Sequence, residues 1–278
     1  IFYFLLFLVI ISLIPFKSIF KPKTNKVGLI TIDYPIVSSS QFNEELDYLI
    51  DRGDINDIII RLNTPGGGVA SSQEIYSRII AEKNKSDISF ITSIESVAAS
   101  GGYYIAIATD KIFANPGSIT GSIGVIMEYP VIDELLKTIG IEYKTVKSSS
   151  FKDSGSPFRD MTDEERIYFQ ELIDDLYNQF IEAVSVGREI PIEEVRDIAN
   201  GKIYSGKQAQ KIGLVDTLGS LNDVVEYIKL KNKYQNKIKL INMPKKENSI
   251  FDFIFNILSY KLHPSNLNYT LPQYLIVN

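Results

Sequence analysis

The chain has 278 residues, enough to bury one large core or two small ones, and 45% hydrophobic with 23% charged residues is the balance of a globular protein. A formal net charge of -5 offers no basic face for a polyanion, which argues against nucleic acid as a partner. Zero cysteines exclude disulfides and thiolate metal sites; a single histidine argues against zinc, and no cofactor is implied.

The first segment, Ile1 to Phe16, is apolar apart from Ser12, and Lys17 closes it. At ~1.5 Å per residue a helix there reaches about 24 Å against a hydrocarbon core of ~30 Å, so a few residues ahead of Ile1 would complete a span. We expect a transmembrane anchor over 1–20 and a linker over 21–26. No small-x-small cleavage site follows Phe16, which favours an uncleaved anchor over a signal peptide. Lys17, Lys21, Lys23 and Lys26 follow the apolar run. Taken alone, the positive-inside rule would leave the globular part in the cytoplasm.

A globular domain is expected over 27–242. Val27 to Ile32 is strand-like, Gln41 to Ile50 has helical spacing, and Asp57 to Leu62 is a buried strand running into the turn Asn63-Thr64-Pro65-Gly66-Gly67-Gly68. Val69 to Glu82 carries Ile75, Ile79 and Ile80 at helical spacing. Ile88 to Ile94 is a third strand, ending before the small-residue turn Ala98-Ala99-Ser100-Gly101-Gly102. Strands apolar on both faces and separated by helices indicate a mainly parallel α/β core. In such cores ligands gather at the carboxyl ends of strands, where both glycine turns fall.

Lys111 to Ala114 is extended, and the Gly/Ser-rich turn from Pro116 to Ile126 leads into a short strand. Val131 to Thr138 reads as helix, Glu142 to Val146 as extended, and 147–159 as a polar loop. Thr162-Asp163-Glu164-Glu165 fits a capping box opening a helix to about Arg188, with Phe169, Leu172, Ile173, Leu176, Phe180 and Ala183 on one stripe. Helices are expected after Pro191, from Ser205 and over Leu221 to Leu230, with a closing strand over Lys237 to Ile241. The tail, 243–278, is apolar in Ile250 to Leu258 but too short there to cross a bilayer.

A serine among small residues is open to substrate, and a glycine run presents bare backbone N–H groups to an anion. Together Ser100 and Gly66-Gly67-Gly68 read as a nucleophile and an oxyanion hole. The bland readings are a helix N-cap for Ser100 and a phosphate loop for the glycines. The latter lacks the Gly-Lys-Ser/Thr ending of a nucleotide P-loop. The one histidine, His263, lies far off in the tail, so the base is an Asp, Glu, Tyr or Lys. A lysine serves only if desolvation moves its pKa from ~10.4 towards ~7–8, a bias of about 4 kcal/mol.

Five blocks in order resemble the signal peptide peptidase A family in its short, single-repeat bacterial form. They are Asn63 to Val69, Ala98 to Ala106, Thr120-Gly121-Ser122-Ile123-Gly124-Val125, Phe151-Lys152-Asp153-Ser154-Gly155-Ser156-Pro157-Phe158-Arg159, and Ile203-Tyr204-Ser205-Gly206 with Ile212 to Gly219. The resemblance runs from about Val27 to Leu230. It implies a crotonase/Clp-protease-like α/β fold of stacked strand-turn-helix units, with 27–242 as a peptidase domain. It implies Ser100 as nucleophile, Lys152 as general base, Ser122 orienting the lysine, and Gly67 as oxyanion donor. Gly66, Gly68 and Gly101 would line the substrate, and Asp153 must turn away from Lys152.

The function so implied is a membrane-anchored serine endopeptidase with a Ser-Lys dyad, hydrolysing apolar peptides such as remnant signal peptides. The resemblance also implies a homo-oligomeric ring or dome with shared active sites. It places the enzyme in the cell membrane as a single-pass protein, its catalytic domain outside the cytoplasm. The alternatives are a related membrane-bound Ser-Lys peptidase cutting one membrane-protein partner, and a non-peptidase use of the fold. The second of these covers acyl-thioester chemistry and an inactive scaffold.

Overall fold

The computed structural model describes residues 25–244 and the short strand Gln273–Tyr274. The chain opens with β1 (Asn25–Ile32), α1 (Ser40–Asp51), β2 (Asp57–Thr64), β3 (Gly67–Gly68), α2 (Val69–Lys85) and β4 (Ser89–Ala99). Next come α3 (Gly101–Ala106), β5 (Lys111–Ala114), β6 (Ile119–Gly121), α4 (Asp133–Thr138), a 3-10 turn (Ser150–Asp153) and α5 (Asp163–Arg188). The last elements are α6 (Ile192–Ile198), β7 (Ile203–Ser205), α7 (Gly206–Lys211), β8 (Thr217–Leu218), α8 (Leu221–Lys231), β9 (Ile238–Ile241) and β10 (Gln273–Tyr274).

Eight strands form one sheet, ordered β7-β6-β4-β2-β1-β9, with β5 pairing β4 beside β6, and β8 pairing β5. Every pairing is parallel except that of β7 with β6. Parallel strands need helical crossovers, and helices on both faces demand apolar side chains on both. The central strand β2 obeys. Ile58 and Ile60 enter the larger core with Phe42, Leu46, Ile75, Ile79 and Phe180. Ile59, pointing the opposite way, joins Val27, Ile91, Phe113, Val224 and Ile228 beneath α8.

Most expected elements are present, with informative departures. Strand β1 starts at Asn25, inside the expected linker. Glu142 to Val146 is exposed and joins no strand: an extended run without an edge to pair with is only a loop. Along α5, Phe180 and Ala183 are buried, but Phe169, Leu172, Ile173 and Leu176 are only half-buried. The capping box forms: the Glu165 N–H donates to the Thr162 hydroxyl (3.2 Å) and the Thr162 N–H donates to the Glu165 carboxylate (3.0 Å).

Among the described residues no helix is long and apolar enough to cross a membrane. The expected anchor at 1–20 lies outside them, as do the residues between Pro244 and β10.

Candidate active site

Ser100 is the single residue between β4 and α3. Turning a buried strand directly into a helix forces it to φ +53°, ψ -117°, a conformation that side-chain-bearing L-residues rarely adopt. Such strain costs about 1–3 kcal/mol and persists only where the surroundings over-determine it. They do here. The Ser100 N–H donates to the Gly121 carbonyl at 2.8 Å, and Gly102 sits so close to β2 that a Cβ would stand 2.8 Å from Thr64 Cγ2. Contrary to the open serine expected among small residues, Ser100 is 1% exposed, and its hydroxyl is buried with no hydrogen-bond partner among the described residues. A buried polar atom left unpaired is uncommon enough to require an explanation.

Ser122 occupies the matching position one strand over. Ala98 pairs with Thr120 and Ala99 with Gly121, so the serines that follow are neighbours across the pair. Ser122 is also held at positive φ, +52°, with its N–H donating to the Lys202 carbonyl at 2.8 Å. Beside it opens a cavity of about 740 Å³ whose wall includes Ile123, Val125, Ile126, Ile173, Tyr177 and Ile203.

The third part is the glycine turn. Thr64, at the end of β2, accepts from the Gly66 N–H at 3.2 Å and donates to the Tyr34 carbonyl at 2.6 Å, pinning the turn. The Ile36 N–H donates to the Gly66 carbonyl (2.8 Å) and the Gly68 N–H to the Ile36 carbonyl (2.7 Å). Gly67 lies so tightly on this bridge that a Cβ would be 2.1 Å from the Ile36 oxygen. Because successive peptide groups alternate along an extended chain, the Gly67 N–H and carbonyl face the side away from Ile36. On that side runs β10, antiparallel, with Tyr274 opposite Gly67 and Gln273 opposite Gly68. It also contacts α3, whose opening amides, Gly101 and Gly102, have no acceptor within the helix.

Lys152 stands apart. It lies on the exposed 3-10 turn, where Phe151 rests 5.5 Å from the Tyr168 ring. Since the Ser100 hydroxyl has no partner, the two are not hydrogen-bonded within one chain. The dry, close-packed setting expected for its amine is not supplied by the described residues of the single chain. Asp153, whose orientation was the open question, is fully engaged: Arg159 donates to it through Nε (2.9 Å) and Nη2 (2.8 Å), and Lys147 at 2.5 Å. Those bonds, from Arg159 first, hold its carboxyl well below the usual range. Arg159 also grips Glu165, whose carboxyl is lowered to about 2.

Sequence reasoning passed over Arg159, Glu165 and β10. Arg159 stands in a quoted block and Glu165 in the capping box, but nothing local says that they meet. The β-prone run Tyr274 to Val277 was the available signal for an added strand. Tyr103 is a core residue: it is fully buried and its hydroxyl donates to the Leu214 carbonyl at 2.9 Å.

A profile of Peptidase family S49 matches residues 82–235. A protein of Synechocystis sp. assigned as a protease is 41% identical over 170 residues, 61% of this chain and 61% of its own length. One of Enterococcus faecium assigned as a signal peptide peptidase is 35% identical over 222 residues, 78% of this chain and 64% of its own. The chain thus spans about three fifths of the length of these curated relatives. Among solved structures, a membrane-bound stomatin-specific protease superposes with a TM-score of 0.50 at 17% identity, covering 80% of this chain and 99% of that one. At that identity the likeness speaks for the fold alone.

Proposed function

This chain belongs to peptidase family S49, and from that premise we propose that it is a membrane-anchored serine endopeptidase acting through Ser100 and Lys152. The observation that carries the reading is Ser100 at the carboxyl end of a parallel strand: its backbone is strained, and its buried hydroxyl has no partner among the described residues. Strain at a residue whose side chain satisfies nothing is best explained by reactivity.

In the reaction the Ser100 oxygen attacks a peptide carbonyl while its proton passes to the neutral Lys152 amine. The developing oxyanion takes the outward N–H of Gly67, with the Gly101 amide nearby. Collapse expels the amine, protonated by Lys152, and leaves an ester on Ser100. Water, deprotonated by Lys152, then hydrolyses that ester. Ser122 accepts or donates at the lysine amine without charging it. Gly66 and Gly68 flank the path of the substrate backbone.

The substrate class is an extended apolar peptide. In support, an extended segment already runs antiparallel along Gly67 and Gly68, and the cavity beside Ser122 is lined in part by apolar side chains, with Gln170, Asp174, Asn200 and Lys202 also on its wall. Remnant signal peptides fit that chemistry, and the Enterococcus relative is assigned as a signal peptide peptidase. We further propose that Lys152 reaches Ser100 in a homo-oligomer. The segment bearing it exposes Val131, Leu135, Ile139, Ile141 and Val146, and α5 next to it exposes Ile167, an apolar set that a second copy would cover. The apolar run Ile1 to Phe16 supports single-pass anchoring in the cell membrane; placing the catalytic domain outside follows the family resemblance, against the lysines that come after the run.

The test is labelling of the full chain by a serine-reactive fluorophosphonate, followed by mass mapping of products from synthetic signal peptides. Wild type labels; Ser100→Ala and Lys152→Ala do not. Labelling that survives Ser100→Ala overturns the nucleophile, and survival in Lys152→Ala overturns the base. A labelled enzyme that cuts no apolar peptide leaves the single-partner peptidase standing instead.

A further inference from the structure

The segment following Lys152 is clamped to the start of α5 through one guanidinium. Arg159 donates to both Asp153 carboxylate oxygens, to the Asp153 main-chain carbonyl (3.3 Å) and to the Glu165 carboxylate (2.8 Å from Nη1). Glu165, 3% exposed, also accepts from the Ser154 hydroxyl at 2.9 Å and from the Thr162 N–H at 3.0 Å. Two carboxylates are therefore consumed by one planar cation, with Lys147 as a second cation on Asp153. The ionisable groups on this loop are Lys147, Lys152, Asp153, Arg159 and Asp160; those on the facing first turns of α5 are Asp163, Glu164, Glu165, Arg166 and Tyr168. Of these, the carboxylate nearest Lys152 in sequence is Asp153.

A free carboxylate within ~4–6 Å of an amine favours its charged form by about 1 pK unit or more, and a charged lysine cannot take the serine proton. Bidentate geometry holds Asp153 in a way that a point charge could not.

We propose that Arg159 is a positioning residue for catalysis: by locking Asp153 and Glu165 together it withholds the Asp153 carboxylate from Lys152 and fixes the turn that presents the amine. The inference rests on Lys152 being the base. It requires no atom of Arg159 to touch substrate.

The experiment is the pH dependence of the fluorophosphonate labelling rate, measured on the purified full chain in detergent for wild type, Arg159→Met, Asp153→Asn, the double variant and Lys152→Ala. Arg159→Met moves the acidic limb up by about one pH unit, so that labelling below the wild-type midpoint slows ~10-fold. Adding Asp153→Asn returns the limb to its wild-type position. Asp153→Asn alone leaves the limb in place, an arm that does not depend on Arg159→Met folding. A limb unmoved in Arg159→Met, or moved but not restored in the double variant, overturns the proposal. So does a downward shift in Asp153→Asn alone, which would mean that Asp153 already faces the amine. Wild-type labelling by Lys152→Ala would remove the base reading itself, together with this inference. A dead Lys152→Ala with an unmoved limb removes this inference alone.

Discussion

Replacing Gly67 by alanine puts a methyl carbon 2.1 Å from the Ile36 carbonyl oxygen and 2.6 Å from both its carbonyl carbon and its amide nitrogen. These are backbone atoms in a bridge and cannot rotate aside. Reaching an ordinary contact of roughly 3.4 Å or more requires the two segments to part by about 1 Å. Parting them breaks the Ile36–Gly66 and Gly68–Ile36 hydrogen bonds, at 2.8 and 2.7 Å. At ~1 kcal/mol each, the loss is about 2 kcal/mol, or roughly 4–8 °C in Tm for a domain of this size. The catalytic effect is larger. A donor displaced by about 1 Å no longer meets the oxyanion, and losses of ~100-fold or more in kcat follow. Gly68→Ala is the control, because its Cβ meets nothing closer than 3.5 Å and its φ of -60° suits any residue. Thermal melts and labelling rates of both variants, side by side, make the assay. If Gly67→Ala stays within a few-fold of wild type, Gly67 is not the oxyanion donor.

Tyr103→Phe strips the Leu214 carbonyl of its buried donor, which should lower stability by about 1–2 kcal/mol while leaving the labelling rate unchanged. Glu165 has a folded-state pKa of about 2 against an ordinary 4.5, chiefly through its bond from Arg159. The unfolded chain therefore binds the proton first on acidification. The stabilisation is complete above 4.5 and is lost as pH falls towards 2. Melts at pH 5 and pH 2.5 should accordingly show wild type losing more than Glu165→Gln over that interval, an equal loss counting against the clamp. Truncation after Pro244 removes β10 from the Gly67–Gly68 edge. A several-fold fall in KM for a short apolar peptide is the expected result, and an unchanged KM would mean that strand and substrate do not share the edge.

Much of the fold was legible because its signals are local. Buried runs such as Asp57 to Leu62, with Ile58 and Ile60 on one face and Ile59 on the other, can only be interior strands of a sheet covered on both sides. The capping box at Thr162 and the glycine turns likewise announce themselves within a few residues. Where a local signal lacked its partner, the reading failed. Glu142 to Val146 has the composition of a strand but finds no edge, and the stripe on α5 runs on beyond the surface that the domain covers.

For the site, residue identity came from the sequence: a serine in a small-residue turn, a glycine run, and a lone distant histidine that pointed away from imidazole. What tertiary structure alone decided is every relation between them. Ser100 and Ser122 become neighbours because β4 and β6 pair in one register. Gly67 must be glycine because Ile36, thirty-one positions back, crosses against it (67 − 36). Asp153 is engaged because Arg159, itself held by Glu165 from the far side of the helix start, and Lys147 both donate to it. Propensity and periodicity act over a turn or two of chain, whereas the strained Ser100, the close approach at Gly67 and the gripped Asp153 carboxylate are produced by contacts between segments that only the folded sheet brings together.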